Sequence, residues 1–246
     1  MEDLLVVIPA RIGSKRLPRK PLIEIAGEPL ISLTVKAVKR FAPKVLVATD
    51  SKEVEKVAKE AGAEVKLTPS ELPSGTDRVY YAVKELPCKF IINVQGDEPF
   101  VEEEHLEKIY LSLKKGAPFA TLATPFKEIN EVKNPARVKV VIDKDGYALY
   151  FSRSPIPYFR DREPKPEEYL KHLGVYGYAK EALEKFVNWP VGKLERIEKL
   201  EQLRILENGH KIKVSVVEKE VFGIDTEEDL KRAEKILREV KRWPQS

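Results

Sequence analysis

The sequence predicts an α/β fold with a mostly parallel sheet and helices on both faces. Three observations predict it. Short β-branched apolar runs alternate with stretches of helical period, each apolar run opens directly into a polar loop, and 246 residues with 42% hydrophobic content suffice to bury a full core.

Leu4 to Ile8, Val45 to Thr49 and Phe90 to Val94 read as the clearest strands. Between them, Pro29 to Phe41 reads as a helix with proline in its first turn. Ser51 to Ala61 reads as a second, with a serine N-cap and Val54, Val57, Ala58 and Ala61 on one face, and Glu102 to Lys115 as a third. Gly62 and Gly116 supply the stops. The alternation breaks near Pro125. Val138 to Ile142, the turn Asp143 to Gly146 and Tyr147 to Ser152 read as a β-hairpin, followed by a charged, proline-rich stretch to about Glu168. The parallel pattern resumes with a helix from Leu194 to Glu207 carrying Leu194, Ile197, Leu200 and Leu203 as its buried stripe. Asn208-Gly209 stops it, and a strand at Lys211 to Val217 and a helix from Thr226 to about Arg242 follow. The chain, 1–246, reads as one main domain with an inserted segment at about 125–190.

Composition excludes several classes. Lys and Arg total 44 against 40 Asp and Glu, an interspersed balance of +4 that gives no nucleic-acid-binding face. The single cysteine, Cys88, cannot staple the fold, and no Cys/His array has zinc spacing, so the reading is a reducing cytoplasm. The N-terminal apolar run is too short for a membrane span or a signal segment, and Glu2 and Asp3 carry the wrong charge, so no membrane insertion is expected.

In open parallel sheets ligands sit at the carboxyl ends of strands. There the first strand is followed by Pro9-Ala-Arg-Ile-Gly-Ser-Lys-Arg-Leu-Pro-Arg-Lys20, a loop holding Arg11, Lys15, Arg16, Arg19 and Lys20. Gly13 and Ser14 let amides approach phosphate oxygens while the cations neutralise a leaving pyrophosphate. By composition alone the loop is as readily a solvated surface. It matches neither G-x-x-x-x-G-K-[ST] nor G-x-G-x-x-G, which disfavours a P-loop ATPase and a typical NAD dehydrogenase. The third strand ends in Asn93-Val-Gln-Gly-Asp-Glu-Pro99, placing Asp97 and Glu98 where magnesium would bind with substrate phosphates. An N-terminal acid of the next helix is the other reading, fitting Glu98 better than Asp97. Asp225, in Phe222-Gly-Ile-Asp-Thr226, is by spacing as readily a helix N-cap as a metal ligand. Pro73-Ser-Gly-Thr-Asp-Arg78 opens a helix with groups that can bracket a base or ribose, or simply cap it.

Taken together, IPARIGSKRLPRKPL, VATD, SGTDR, NVQGDEP, VKVVIDKDGYALYFSRSPIP, HLGVYGY, LEQLRIL and GIDTEEDL resemble, in order and nearly end to end, the 3-deoxy-manno-octulosonate (Kdo) cytidylyltransferases. The first of these is shared with related sugar nucleotidyltransferases; NVQGDEP, YFSR and HLGVYGY narrow the resemblance. It implies a nucleotide-diphospho-sugar transferase-like fold, with the 125–190 segment serving sugar binding and dimerisation. It implies transfer of CMP from CTP to the anomeric hydroxyl of Kdo with release of pyrophosphate, activating the sugar for lipopolysaccharide synthesis, with Mg2+ as cofactor and a homodimer as the assembly.

By the same resemblance Ala10, Arg11, Ser14, Arg16 and Lys20 handle the CTP phosphates, Arg16 and Lys20 favouring pyrophosphate departure. Thr49, Asp50, Ser74, Gly75 and Arg78 surround the cytidine, and Asp97 and Asp225 bind the metal. Gln95, Arg153, His172, Tyr178, Glu201 and Gln202 bind the sugar, with arginine suited to its carboxylate. Outside the family, His172 reads as structural and Glu201 as a solvated charge. The stretch from Arg160 to Glu168 follows the family pattern only loosely. The rival readings are a cytidylyltransferase for sialic acid or another ulosonate, a glycosyltransferase and a non-catalytic nucleotide-binding module. Substrate competition separates the first, pyrophosphate release the second, and the set Arg16, Lys20, Asp97 and Asp225 speaks against the third.

Overall fold

The computed structural model describes residues 3–13 and 17–242. In chain order the elements are β1 (Leu4–Pro9), β2 (Glu24–Ile25), β3 (Glu28–Pro29), α1 (Leu30–Lys39), β4 (Val45–Thr49), α2 (Lys52–Glu60), β5 (Glu64–Leu67), α3 (Gly75–Val83), β6 (Phe90–Asn93) and α4 (Glu103–Lys114). They continue with β7 (Phe119–Pro125), α5 (Ile129–Lys133), β8 (Lys139–Ile142), β9 (Ala148–Ser152), β10 (Leu170–Ala179), α6 (Lys180–Asn188), α7 (Lys193–Glu198), α8 (Leu203–Glu207), β11 (Ile212–Val216) and α9 (Glu227–Arg242). Two compact units result. The first comprises residues 1–88, 93–106 and 221–246, and the second 89–92 and 107–220. The segment read as an insertion, 125–190, lies inside the second unit.

In the first unit β4 pairs in parallel with β1 on one side and β5 on the other, the arrangement the alternating pattern requires. All six residues of β1 are buried, which is why it reads as an unbroken apolar run. Ser51 caps α2 as expected, its side chain accepting from the Val54 amide. A cluster of Leu17, Ile25, Leu30, Phe222, Ile224 and Ala233, with Leu230 and Leu237 against it, packs α9 and the segment before it onto the segment that follows the basic loop.

In the second unit β7 lies between β11, parallel to it, and β10, antiparallel to it, while β8 pairs with β10 and β9 in antiparallel fashion. The predicted hairpin is therefore present. Asp143 Oδ1 accepts from the amides of Asp145 and Tyr147 and closes its turn, and Gly146 takes the positive φ of 74° that the turn needs. Its apolar run does not form an outward face: Ala148 and Phe151 are buried and Leu149, at 62% exposure, stands out. Gly177 marks the close approach of α4 to β10, since a Cβ there would lie 2.3 Å from Ile109 Cγ2.

The helix expected from Leu194 to Glu207 is two helices, α7 and α8, broken where Lys199 adopts φ 54°. The cause is a side chain far away in sequence. Arg153 donates from Nε to the Glu198 carbonyl (2.6 Å) and from a terminal nitrogen to the Lys199 carbonyl (3.2 Å), taking acceptors a continuous helix would have used itself. The break turns Ile197 out to 67% exposure, so the expected stripe keeps Leu200 and Leu203 but loses Ile197. It also lets Glu195 and Arg204 meet in a nearly buried two-pronged pair at 2.7 and 2.6 Å. Removing one partner of such a pair strands the other charge, at a cost of about 3 kcal/mol. Glu195→Ala is expected to lower unfolding free energy by about that amount and Glu195→Gln by less; equal urea midpoints for wild type and both variants would refute the assignment.

Candidate nucleotide-binding site

Within the first unit a cleft of about 460 Å³, in the range of small-molecule sites, is lined by Ala10, Arg11, Lys20, Ser74, Gly75, Arg78, Gln95, Asp97 and Asp225. Nine residues expected from sequence to serve nucleotide, metal or sugar thus converge from loops up to 215 positions apart. Ser14 and Arg16, expected to handle phosphates, lie outside the described residues.

Backbone contacts build the cleft. Gly96 passes so near the end of β1 that a Cβ would lie 3.1 Å from the Pro9 carbonyl oxygen, so only glycine fits without displacement. The Ile224 amide donates to the Asp97 carbonyl at 2.9 Å and brings the 222–225 segment alongside Asp97. On that frame Lys20 Nζ donates to Asp97 Oδ2 and, at 2.7 Å, to Asp225 Oδ1.

The helix-capping readings of Asp225 and Glu98 do not hold in the structure. Thr226 caps α9: its Oγ1 accepts from the Asp229 amide, and Asp229 Oδ2 accepts from the amides of Thr226 and Asp225. The cap is Thr226, and the Asp225 carboxylate faces Lys20. Glu98 is not a first-turn acid of α4, which starts five residues later; there His105 Nδ1 accepts from the Glu102 amide, a cap the sequence reading missed. Glu98 is buried, and burial with the neighbouring Asp97 charge pushes its carboxyl up to about 8, so it is largely protonated at neutral pH.

Asp50 and Arg78 form the other charged pair. Arg78 is 2% exposed, lies 3.5 Å from Asp50 Oδ2, and donates to Thr68 Oγ1 and to the Pro69 carbonyl at 3.1 Å. Burial is the largest cause lowering its pKa, partly offset by Asp50. Asp50 Oδ1 accepts from the Ile12 amide at 3.0 Å and so anchors the basic loop. Asp50 is thus a brace for loop and arginine. Thr49 is fully buried at the end of β4, with its hydroxyl accepting from the Ser51 amide. Ser74 caps α3 through the Asp77 amide and also lines the cleft. The α3 amides beside it present the positive end of a helix dipole to an anion.

The donor set suits a small hard cation. Two carboxylates, each placing an oxygen against one ammonium nitrogen, leave further positions for water and substrate phosphates, as magnesium requires. No group of three or more His, Cys, Asp or Glu suited to a metal occurs among the described residues.

A family model described as cytidylyltransferase matches residues 5–212. The chain belongs to that family. As a cytidylyltransferase it is 44% identical to the 3-deoxy-manno-octulosonate cytidylyltransferase of Chloroherpeton thalassium over 95% of this chain and 97% of that one. It is 47% identical to the enzyme of the same name from Koribacter versatilis, over 95% and 90% of the two chains. Among solved structures, a CMP:2-keto-3-deoxy-manno-octonic acid synthetase complexed with CTP superposes with a TM-score of 0.91 at 36% identity, covering 96% of this chain and 99% of that one. The fold is that of the nucleotide-diphospho-sugar transferases, as the resemblance implied.

Arg153, His172, Tyr178, Glu201 and Gln202, the remaining residues tied to the sugar by resemblance, all lie in the second unit of the cytidylyltransferase. Besides its two bonds at the helix break, Arg153 donates to the Pro135 carbonyl at 2.8 Å. Tyr178 is 2% exposed, stacked between Tyr176 and Phe186. Glu201 and Gln202 follow the helix break, the latter buried. His172 sits between the rings of Phe151 and Tyr176 with Nε2 3.1 Å from Thr121 Oγ1. The carbonyls of Leu173 and Val175 also lie within 3.2 Å of that hydroxyl and take its one proton, so His172 carries its proton on Nε2.

Burial pulls the His172 pKa down to about 3, so the fold favours the neutral ring. With the folded value below the free value of 6.5, stability is intact above about pH 6.5 and is lost as pH falls from there toward 3. His172→Gln is expected to lose less stability than wild type between pH 7 and 4.5, by on the order of 2 kcal/mol in urea unfolding; parallel pH profiles would overturn this.

Proposed function

We propose that this chain transfers CMP from CTP to the anomeric hydroxyl of 3-deoxy-manno-octulosonate, giving CMP-Kdo and pyrophosphate. The observation that carries the reading is the cleft in which Lys20, Asp97 and Asp225 converge beside the amino end of α3, in a chain 44–47% identical to cytidylyltransferases of that name. In the reaction the anomeric oxygen forms a bond to the α-phosphorus, the bond from that phosphorus to the oxygen bridging to the β-phosphorus breaks, and the hydroxyl proton is lost.

The residues supply position and charge. Arg11, Lys20 and Arg78 face a tetra-anionic nucleotide, with Arg78 immobilised by Thr68 and Pro69 before any ligand arrives. One preorganised donor of this kind is worth about 3–4 kcal/mol of barrier, and fixing two reactants in line up to about 7–11 kcal/mol. Magnesium on Asp97 and Asp225 belongs to the proposal; when bound it offsets charge growing on the phosphates and acidifies an oxygen it holds. His172 serves as no base, since a pKa pulled down to about 3 leaves its ring too weakly basic to take up the hydroxyl proton.

A homodimer and a reducing cytoplasm complete the reading. Exposed Leu149, Ile197 and Tyr158 of the second unit support the first, and a sequence with a single cysteine, Cys88, the second. No helix among the described residues is long and apolar enough to cross a membrane.

Pyrophosphate release tests the reading. Protein mixed with CTP, Mg2+ and Kdo is expected to release pyrophosphate, with loss of the signal on chelation and little signal with sialic acid or without sugar. Asp97→Asn is expected to cut turnover by about a hundredfold or more with little change in melting temperature. Silence with Kdo, or near-normal turnover in that variant, would count against the substrate and the metal assignment respectively.

A further inference from the structure

The oxygens that a divalent cation would use, Asp97 Oδ2 and Asp225 Oδ1, are the two that receive hydrogen bonds from Lys20 Nζ. An ammonium and a divalent cation cannot share that position: both are positive, and each needs the same lone pairs at contact distance. The Lys20 side chain is 12% exposed, whereas Asp97 at 28% and Asp225 at 46% stay open to an ion arriving from solvent. Its backbone stays fixed while its side chain can move. Arg19 before it holds φ 55° and is tied to Glu53, and the turn Lys20–Leu22 is closed by the Leu22 amide on the Arg19 carbonyl at 2.9 Å. Four rotatable bonds then carry the ammonium from carboxylates to an arriving phosphate without moving the loop.

We infer that Lys20 acts as a built-in cation that occupies the Asp97/Asp225 position and excludes the divalent ion until nucleotide phosphates draw the ammonium away, so that metal and CTP bind in concert. The inference rests on the assignment of those two aspartates as cation ligands. Its physical basis is reciprocal linkage: whatever phosphate contact costs Lys20 its carboxylates raises cation affinity there, and the cation in turn raises nucleotide affinity by the same factor. Lys20, Asp97 and Asp225 by themselves sum to one net negative charge, too little to hold a strongly hydrated divalent ion against a resident ammonium. Once the ammonium has transferred to phosphate, two full carboxylates and the phosphate oxygens face the same point.

The test is Mn2+ binding to the purified protein, read by electron paramagnetic resonance of the free ion, which does not depend on turnover. Wild type is expected to bind Mn2+ weakly alone and at least tenfold more tightly with a non-hydrolysable CTP analogue, after correction for ion held by the analogue in solution. Lys20→Met is expected to bind Mn2+ at least tenfold more tightly than wild type in the absence of nucleotide, whereas Lys20→Arg, which keeps the charge, stays weak. Equal nucleotide-free affinities for Lys20→Met and wild type would overturn the inference while leaving the metal ligands in place, provided that Asp97→Asn and Asp225→Asn abolish the nucleotide-dependent binding. If those two variants bind as wild type does, the ligand assignment itself fails.

Discussion

A single ammonium held by two carboxylates ties together three segments that are 77 and 128 residues apart in the chain, and the first unit is arranged so that Lys20, Asp97 and Asp225 can meet. The bridge does not itself bring them there. A part-exposed ion pair is worth about 0–1 kcal/mol, whereas each fully buried Leu, Ile or Phe contributes about 1.5–3 kcal/mol. Ile25, Leu30, Phe222 and Ile224 bury their side chains in one cluster, and the hydrogen bond from the Ile224 amide to the Asp97 carbonyl fixes the register. Packing sets the approach, and the charges occupy the place it leaves.

Four acids beside a cleft for a tetra-anion would be self-defeating unless each charge were accounted for. Asp50 is neutralised by Arg78 and by the Ile12 amide. Glu98 is neutralised by a proton, because burial beside Asp97 raises its pKa to about 8. Asp97 and Asp225 are the pair compensated by a lysine ammonium that lines the cleft, and, on the inference above, the pair at which a different cation enters. The two buried neutralisations are structural, and the exchangeable one sits where the chemistry is assigned.

What could be read in the sequence follows from what is local. The strands β1, β4 and β6, the serine cap of α2, the hairpin turn at Asp143 and the final helix each depend on contiguous residues, and they appear where periodicity and capping residues put them. The basic loop and the two aspartates were visible as residue types at strand and helix ends, but their convergence was supplied only by the family resemblance, since no spacing rule links position 20 to position 225. The bound on local reading is clearest at Lys199. The run from Leu194 to Glu207 has helical period throughout, yet a guanidinium from position 153 takes the carbonyls that would have continued it. The buried Glu195–Arg204 pair was missed for the same reason, because only the broken helix brings those side chains together.

That break changes how Arg153 can be understood in the second unit. A guanidinium has five N–H donors in a fixed fork, and among the described residues Arg153 spends three of them on the carbonyls of Pro135, Glu198 and Lys199. Glu198 answers with its own carboxylate, accepting from the Arg153 amide and the Ser152 hydroxyl, while Lys139, fully buried, donates to the Arg153 carbonyl. The fork is therefore rigid, and one N–H on each terminal nitrogen remains to meet a carboxylate. The same contacts end α7 and set the start of the turn that presents Glu201 and Gln202. One side chain thus both offers donors suited to an acidic sugar and fixes the backbone carrying two more residues assigned to it, so a change at Arg153 acts on all three at once and its effect cannot be apportioned to a lost carboxylate contact alone.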